Sequence, residues 1–516
     1  MARIDVDPVT LEVLRNSLLT ITKEMDFIIG RTSRATLWQE SGDYSTAILT
    51  RYGEMVAQGP HGIPVHLGTM PLSVQHSLLK IGKDAIEPGD VIWNNDPYSG
   101  SNHLPDVLLM KPIFYEDQLI AILAVRGHWI DIGGSAPGSY STANRDIYAE
   151  GFRLPPAKIF QRGTLNRDLF EAILANVRIP EDRRGDFEAQ LAGLLFGERR
   201  VLALCHKYGP KIFLHGIEKI LDHAEKLVRD EIRKMPKGRF SASDLLDGDE
   251  IDRRQIKIHA TVEIKDEEID IDFNGTDGQA KGGINVPYAV TCSAVYYTVK
   301  ALIDPEIPAN SGAWRPIKIR APEGTIVNPR FPAPVVQGNH ETGSRIVDVL
   351  FQAFAQALPD RLIAGCTGSA SAFVIGGEDS GEERGHRPYL LIQIVDGGRG
   401  ACLGGGCGII NAKNQPVEVI ETRTPIFVEA QELIPDSGGP GRWRGGCSIK
   451  GSYRLTSGTA ILTTLSDRAT TGPYGLFGGR EGKRCVLNLR HGNQHLTLFS
   501  KYTGVMKGHR RNTGCQ

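Results

Sequence analysis

The sequence predicts an α+β fold: a multidomain, β-rich chain with glycine-rich turns and a central helical segment. The chain has 516 residues, more than one hydrophobic core usually organises. It contains 59 glycines, clustered between apolar stretches in a way that is typical of tight turns in β-rich proteins. Helical periodicity is concentrated near the N-terminus and in the middle of the chain, while short apolar runs occupy most of the rest.

The first predicted elements are a helix and a set of strands. Asp7 precedes Pro8 as an N-cap precedes the first residue of a helix. Four apolar residues then recur at helical spacing and predict a helix over residues 8–29: Leu14, Leu18, Ile21 and Met25. Residues 43–134 instead show short apolar runs broken by Gly and Pro, which predict strands. The segment Tyr115–Gln118 is the predicted turn of a hairpin between two of them.

The central helical segment is predicted by two apolar stripes at helical spacing within residues 165–235. Strands return from about residue 250, and one more helix is predicted near residues 344–357. The chain therefore divides into three predicted regions. They are the N-terminal helix with its β region (1–160), the helical segment (161–245) and a β-rich C-terminal region (246–516).

Charge and composition exclude several classes of partner. The 59 basic and 60 acidic residues nearly cancel, which gives no electrostatic basis for binding nucleic acid or an anionic membrane. No apolar run approaches the ~20 residues that span a bilayer, and the sequence starts without an apolar signal-peptide core. The eight cysteines form no CxxC pair, Cys402 and Cys407 being the closest in spacing. Reduced thiols and a cytoplasmic location are the expectation.

A cluster of His and Asp residues predicts a metal site on the hairpin. His103 and Asp106 form an H-x-x-D pair, and His128 follows at the far end of the hairpin. If the two strands pair in antiparallel fashion, the hairpin returns His128 to the side of the pair. Two imidazoles and one carboxylate suit a divalent ion with open positions, and Asp131 or Asp96 could orient a ligating histidine. The alternative is a set of solvated loop residues or hydrogen-bonded core histidines, and spacing alone leaves both open.

Other polar motifs permit two interpretations each. Asp43 either bridges to the metal or acts as a base, or it only caps a turn. His66 lies in an apolar setting typical of a hydrogen-bonded core histidine. The segment 339–345 is predicted to begin a helix, where an anionic ligand or simple capping explains its polar residues. The Arg-Trp-Arg of residues 442–444 is either a partner-binding loop or a hairpin. The sequence contains neither a phosphate-binding G-x-x-x-x-G-K-[ST] loop nor a G-x-S-x-G elbow.

Six motifs in order resemble the hydantoinase B/oxoprolinase family over residues 8–505. They read NDPYSGSNHLPDV, AVRGHWIDIGG, DFNGTDGQAKGGIN, GNHETGSRIVDV, PDSGGPGRWRGG and YGLFGG. The resemblance implies that a separate hydantoinase A-type chain uses ATP and phosphorylates the substrate. The B-type chain would hold a divalent metal (Zn, Mn or Fe) through His103, Asp106 and His128 and complete the reaction.

The resemblance implies the metal-containing B subunit of an ATP-dependent cyclic amide hydrolase that opens a hydantoin, lactam or 5-oxoproline ring. Asp43 or Asp131 would be the catalytic proton acceptor, and the chain would work in a hetero-oligomer. The alternatives are a subunit of an ATP-dependent ketone carboxylase and a non-catalytic structural subunit. The basic tail GVMKGHRRNTGCQ departs from the Gly-rich closing segment of the family, so a truncated C-terminal region is expected.

Overall fold

The N-terminal region is built on one antiparallel sheet. The structure is a computed structural model that describes residues 6–380, 387–395, 410, 412–491 and 494–508. The sheet contains β1 (Tyr44–Thr50), β2 (Met55–Gln58), β3 (Val91–Asn94), β4 (Asp106–Tyr115), β5 (Gln118–His128), β6 (Ala157–Gln161) and β7 (Thr164–Leu165). Its strand order is β2-β1-β5-β4-β3-β6-β7. The α+β class predicted from the sequence is confirmed.

The hairpin of β4 and β5 lies at the centre of this sheet. Its turn is formed around Glu116, whose positive φ of 52° lets the chain reverse tightly, and the predicted turn is confirmed. The register pairs Asp106 with His128 at the opposite end. Both faces are covered, because Leu108 belongs to one buried core and Leu109 to another. The hairpin therefore holds its open end inside the protein.

Helices cover the sheet and connect it to the rest of the chain. Their bounds are α1 (Pro8–Thr32), α2 (Thr36–Gln39), α3 (His66–Ile81), α4 (Arg167–Ala175), α5 (Pro180–Tyr208), α6 (Pro210–Lys234), α7 (Tyr288–Leu302), α8 (Ser311–Trp314), α9 (Thr342–Phe354) and α10 (Val417–Arg423). The predicted N-terminal helix is confirmed, and Asp7 caps it by accepting a hydrogen bond from the Thr10 amide at 3.0 Å. The predicted central helices correspond to α4, α5 and α6, and the predicted helix near 344–357 corresponds to α9.

Four of the described helices lie where only strands were predicted, so that part of the prediction was wrong, and α3 and α7 are the longest of the four. Helix α3 falls within residues 43–134 and α7 within the region after residue 250. Both are buried on most of their surface, including six consecutive residues from His66 to Pro71, so neither shows an apolar stripe opposite a polar one. Packing of α3 against α7 stabilises both helices despite the internal Pro71 and the β-branched residues of α7.

After residue 237, the described part of the chain contains two four-stranded sheets and two hairpins. One sheet has the order β11-β10-β9-β8 and the other the order β13-β12-β16-β19. The bounds are β8 (Gly238–Leu246), β9 (Ile256–Ile264), β10 (Ile269–Asp272), β11 (Ile317–Arg320), β12 (Ala372–Asp379), β13 (Arg387–Ile394), β16 (Thr459–Leu465) and β19 (Tyr502–Lys507). The hairpins pair β14 (Ile426–Ile434) with β15 (Ser448–Leu455) and β17 (Leu487–His491) with β18 (Gln494–Leu498).

The two largest hydrophobic cores extend across the three predicted regions. One runs from Ala47 to Leu358 and the other from Leu14 to Leu465. The division at residues 160 and 245 stays a prediction, and the tail from residue 509 lies outside the described residues, as do Cys402 and Cys407. Cys366 is disulfide-bonded, unlike the expected reduced thiols, because pairing depends on proximity in space and not on spacing in the sequence. Among the described helices, none is long and apolar enough to cross a membrane.

Candidate metal centre

The residues of the predicted metal site meet at the open end of the β4–β5 hairpin. Asp106 is the first residue of β4, His128 is the last residue of β5, and the two are paired in the register. His103 lies in the loop that enters β4. One ligand atom from each of the three lies within 4.8 Å of the other two, and all three side chains are buried. The structure thus brings together the three residues that spacing selected.

Asp106 is held so that one of its oxygens faces the histidines. Its Oδ2 accepts hydrogen bonds from Nδ2 of the Asn102 side chain and from Nε2 of His66, the latter at 3.0 Å. Its Oδ1 lies 3.1 Å from Nε2 of His103 and 3.2 Å from Nδ1 of His128. The hydrogen bonds donated by Asn102 and His66 orient the carboxylate of Asp106 and favour its ionised form.

A ring nitrogen of His103 that carries no proton faces that oxygen. Its Nδ1 lies 3.0 Å from the carbonyl oxygen of Val336, and because a carbonyl only accepts, Nδ1 carries the proton. The lone pair of Nε2 then faces Asp106 Oδ1, and neither atom has a hydrogen-bond partner among the described residues. Two buried acceptors in contact are unfavourable unless a cation lies between them. The donor set therefore fits a divalent ion.

His128 completes this donor set. The Trp38 indole donates to its carbonyl at 2.7 Å, and its amide donates to the carbonyl of Asp43 at 3.1 Å. Gly127 allows this approach, since a Cβ there would lie 2.2 Å from the Trp38 ring. Burial lowers the pKa of His128, so the ring is neutral as a ligand must be. Its Nε2 has no hydrogen-bond partner in the described part of the chain.

The carbonyl that orients His103 is itself held by a buried glutamate. Oε1 of Glu150 accepts hydrogen bonds from the amides of Val335 and Val336 at 2.8 and 2.9 Å. Burial raises the pKa of Glu150 to about 8. Glu150 thus fixes the peptide segment whose carbonyl selects the tautomer of His103.

Tyr140 and His340 line another side of the cluster. The Tyr140 hydroxyl lies 2.8 Å from Nε2 of His340 and 3.4 Å from Nδ1 of His103. Nδ1 of His340 faces the carbonyl of Ala370, which makes Nε2 the acceptor and the tyrosine the donor. Burial, with His103 and His128, lowers the pKa of His340 to about 3. His340 is a neutral hydrogen-bond partner.

Several of these partners were missed from the sequence. His66 was interpreted as a hydrogen-bonded core histidine, which it is, but its partner is the candidate ligand Asp106. Asn102 lies one residue before His103, and Tyr140 and His340 belong to distant segments. Only Asn102 could have been recognised as a partner of the site, because it is adjacent to His103 in the sequence. The other contacts join distant segments, and no sequence spacing predicts them.

Of the two predicted proton acceptors, Asp43 lies beside the cluster. Its Oδ2 is 3.8 Å from Nδ1 of His128, and its side chain is 14% exposed. Burial first, and then the charge of Asp106, raises the pKa of Asp43 well above its ordinary value. Asp131 instead accepts hydrogen bonds from the amides of Gly133, Gly138 and Arg178 and from the Arg178 side chain.

Asp96, the other residue considered for orienting a histidine, bonds elsewhere. It accepts from the Tyr98 amide at 3.1 Å and from the Ser99 hydroxyl at 3.0 Å, and it pairs with Arg153. The bonds of Asp96 and Asp131 thus stabilise loops. The orienting contact of His103 comes from the carbonyl of Val336.

A second buried polar group, the ion cluster, lies beyond His340 at the start of α9. Arg345 pairs with Asp467 at 2.9 Å and with Asp244 at 3.2 Å. The side chain at the N-cap of α9 makes no capping hydrogen bond. The ion cluster consists of Asp244, Arg345, Asp348, Asp467, Arg468 and Lys501.

Comparison with known proteins indicates the same family as the six sequence motifs. The chain matches the family described as hydantoinase B/oxoprolinase over residues 7–513. It is 39% identical to an uncharacterised protein of Methanocaldococcus jannaschii over 92% of this chain and 84% of that one. It is 32% identical to a putative D-/L-hydantoinase B subunit of Pseudomonas sp. (strain NS671), over 96% of this chain and 86% of the relative.

Two solved structures share the fold. The ATP-dependent caprolactamase from Pseudomonas jessenii superposes with a TM-score of 0.89 at 27% identity, covering 98% of this chain and 89% of that one. Acetone carboxylase superposes with a TM-score of 0.86 over 93% of this chain and 66% of that one, and at 18% identity it shows the fold alone. The match over almost the whole length establishes that this chain belongs to the hydantoinase B/oxoprolinase family.

Proposed function

We propose that this chain is the metal-containing B subunit of an ATP-dependent cyclic amide hydrolase. The single observation that carries the proposal is the buried 3.1 Å contact between Nε2 of His103 and Oδ1 of Asp106, neither of which has a hydrogen-bond partner among the described residues. His128 adds a further nitrogen to the same point. A cation between the two atoms would stabilise such a contact, and the relatives named as B or beta subunits of a hydantoinase and a caprolactamase indicate the reaction class.

The three side chains would hold one divalent ion and leave further positions open. Two neutral imidazoles and one carboxylate accommodate zinc, manganese or iron. When bound, the ion would supply a Lewis acid that polarises a reacting oxygen and acidifies water. His66 and Asn102 keep Asp106 oriented, while the carbonyl of Val336 keeps Nε2 of His103 unprotonated.

Asp43 is the residue proposed to accept a proton during ring opening. It lies next to His128 and retains some exposure, while the oxygens of Asp131 are engaged by loop amides and Arg178. A carboxylate beside the ligand set is within reach of a water molecule that loses a proton as it attacks. Tyr140 would serve as the complementary donor, since its hydroxyl already donates to His340.

The first half of the reaction is assigned to an A-type partner subunit that uses ATP. Nitrogen donates into the carbonyl of an amide and makes it a poor electrophile, so phosphorylating the carbonyl oxygen supplies both activation and a leaving group. The sequence has no phosphate-binding loop of the G-x-x-x-x-G-K-[ST] form, and relatives of this chain are named as subunits. The substrate class is a hydantoin, a lactam or 5-oxoproline.

Ketone carboxylation is the second candidate, supported by the shared fold with acetone carboxylase. Phosphorylation of an oxygen by the partner subunit would then activate the substrates for a reaction between an enolate and bicarbonate. A purely structural role for the chain is the third candidate. The reconstituted complex, supplied in turn with hydantoin, caprolactam, 5-oxoproline and acetone with bicarbonate, distinguishes the first two by the product formed.

Asp106→Asn tests the catalytic role of the cluster. Asparagine keeps the size and one oxygen but removes the charge, so we expect product per ATP to fall by about 100-fold or more while the complex still assembles. Asp26→Asn is a matched control, because Asp26 is equally buried but lies in α1. The measurement is product formed against ATP consumed. Full product yield from an Asp106→Asn complex that contains no metal would leave only the structural role.

A further inference from the structure

A wide groove opens in the C-terminal part of the chain, apart from the metal centre. Its volume is ≈ 1810 Å³, well above the roughly 300–1,000 Å³ of small-molecule pockets, so it has the size of a site for a protein segment. Its lining includes two glycine-rich loops, residues 437–446 and 473–484, together with β14, β15 and β17. We call it the basic groove. The first loop contains the Arg-Trp-Arg sequence at 442–444.

The two loops of the basic groove form a preformed surface. The amide of Arg480 donates to the carbonyl of Pro440 at 2.9 Å, and the amide of Lys483 donates to the carbonyl of Ser437 at 3.0 Å. Glycine is required where the loops approach each other, since a Cβ on Gly439 would lie 2.4 Å from the carbonyl oxygen of Arg480. These bonds fix the loops against each other before any partner binds, which lowers the entropy cost of binding.

The lining of the basic groove carries an excess of positive charge. It contains seven arginines and three lysines against three acidic residues, although the whole chain has a net charge of -1. Five of these cations are exposed and have no ion-pair partner among the described residues: Arg442, Arg480, Lys483, Arg490 and Lys507. Elsewhere exposed arginines such as Arg162 and Arg233 pair with carboxylates. The local excess favours an anionic binding partner.

Large apolar side chains are exposed on the same loops. Trp443 is 53% exposed and Phe477 is 71% exposed, and the guanidinium of Arg442 lies 5.5 Å from the Trp443 ring centroid. Tryptophan and arginine are enriched among the residues that dominate the energy of protein–protein interfaces. A second copy of this chain would present the same positive charge, so self-pairing through this face is repulsive.

We propose that the basic groove is the docking surface for an acidic segment of the partner subunit. This inference rests on the proposed function, because that function requires a second chain. Carboxylates of the segment pair with Arg442, Arg480 and Lys483, and an apolar residue of the segment packs against Trp443. The metal centre takes no part in this contact.

The test uses sedimentation and calorimetry to measure how tightly the full chain binds its A-type partner. We expect the double variant Arg442→Glu/Arg480→Glu to weaken the complex by about 100-fold and Trp443→Ala by about 10-fold. The matched control is Arg320→Glu, whose side chain is 80% exposed at the end of β11, outside the groove. We expect it to change affinity by less than about 2-fold. Raising salt should weaken the wild-type complex more than the double variant.

Each outcome has one meaning. Equal binding by the wild type and both groove variants, with unchanged metal content, would overturn the docking surface and leave the proposed function standing. Failure of the wild type to bind any A-type chain would overturn the proposed function and this inference with it. Self-association or RNA binding that disappears in the double variant, with partner binding intact, would assign the groove to a different occupant. Loss of partner binding in the groove variants alone supports the proposal.

Discussion

Two buried polar clusters differ in how their carboxylates are paired. One is the His–Asp cluster at the end of the β4–β5 hairpin, and the other is the ion cluster at the start of α9. In the ion cluster, carboxylates meet guanidinium or ammonium groups of the same chain, as Asp467 meets Arg345 and Lys501. In the His–Asp cluster, a carboxylate oxygen meets bare imidazole nitrogen. The first arrangement is neutralised within the chain, whereas we propose that the second is neutralised by a bound cation.

The largest expected effect on stability comes from breaking the ion cluster. Asp467→Ala leaves Arg345 and Lys501 buried without their shared carboxylate, so we expect the free energy of unfolding to fall by about 3–5 kcal/mol. Denaturant unfolding measures this loss. Metal bound per folded molecule should stay unchanged, because the ion cluster supplies no ligand. Loss of metal together with stability would show that the two clusters act as one unit.

A smaller effect is expected from the glutamate behind His103. Glu150→Ala frees the amides of Val335 and Val336, so the carbonyl that orients His103 is no longer fixed. We expect metal affinity to fall by about 10–100-fold, as for other groups that orient a ligating histidine. Glu150→Gln keeps the accepting oxygen and should remain within about 3-fold of the wild type. Titration with a chromophoric chelator gives both affinities, and equal loss in the two variants would contradict this orienting role.

The smallest effect concerns a carboxyl group that belongs to neither cluster. Burial raises the pKa of Asp26 from 3.8 to about 7, although Thr46 donates to it. The folded protein thus keeps a proton that the unfolded chain releases between about pH 4 and 7, so stability falls as pH rises through this window. Asp26→Asn cannot release that proton. We therefore expect its stability relative to the wild type to rise as the pH increases from 4 to 8.

Thermal unfolding across this pH range measures the difference between the two proteins. Asp168→Asn, a change at an exposed position in α4, is the control for removing one carboxylate from the surface. A constant difference between Asp26→Asn and the wild type would show that Asp26 does not keep its proton in the folded state.

The sequence predicted those parts of the fold and the site that depend on local order. The hairpin turn and its strand lengths follow from one continuous stretch, and they bring His128 next to Asp106 without information from elsewhere. Helix α3 was missed because burial on most sides removes the periodic contrast that identifies a helix. The contact of His103 with Val336 joins residues 233 positions apart, and no spacing rule connects them.

The sequence also could not distinguish the environments of Asp43 and Asp131. Asp43 and Asp131 both lie near the hairpin in the sequence, and both were predicted as proton acceptors. The structure shows that the oxygens of Asp131 accept bonds from Gly133, Gly138 and Arg178. A bonding pattern of this kind depends on how the 131–139 loop folds back on itself, and residue type does not reveal it.

The metal content of the purified chain is the most direct test of the account. We predict about one divalent ion per wild-type molecule, measured by plasma mass spectrometry after removal of loosely bound metal. His103→Ala and His128→Ala should each lose most of that ion while remaining folded. His259→Ala, which changes a histidine bonded to Ser243 on a distant sheet, should retain it. Stoichiometric metal in both His103→Ala and His128→Ala would contradict the assignment of the cluster as a metal centre.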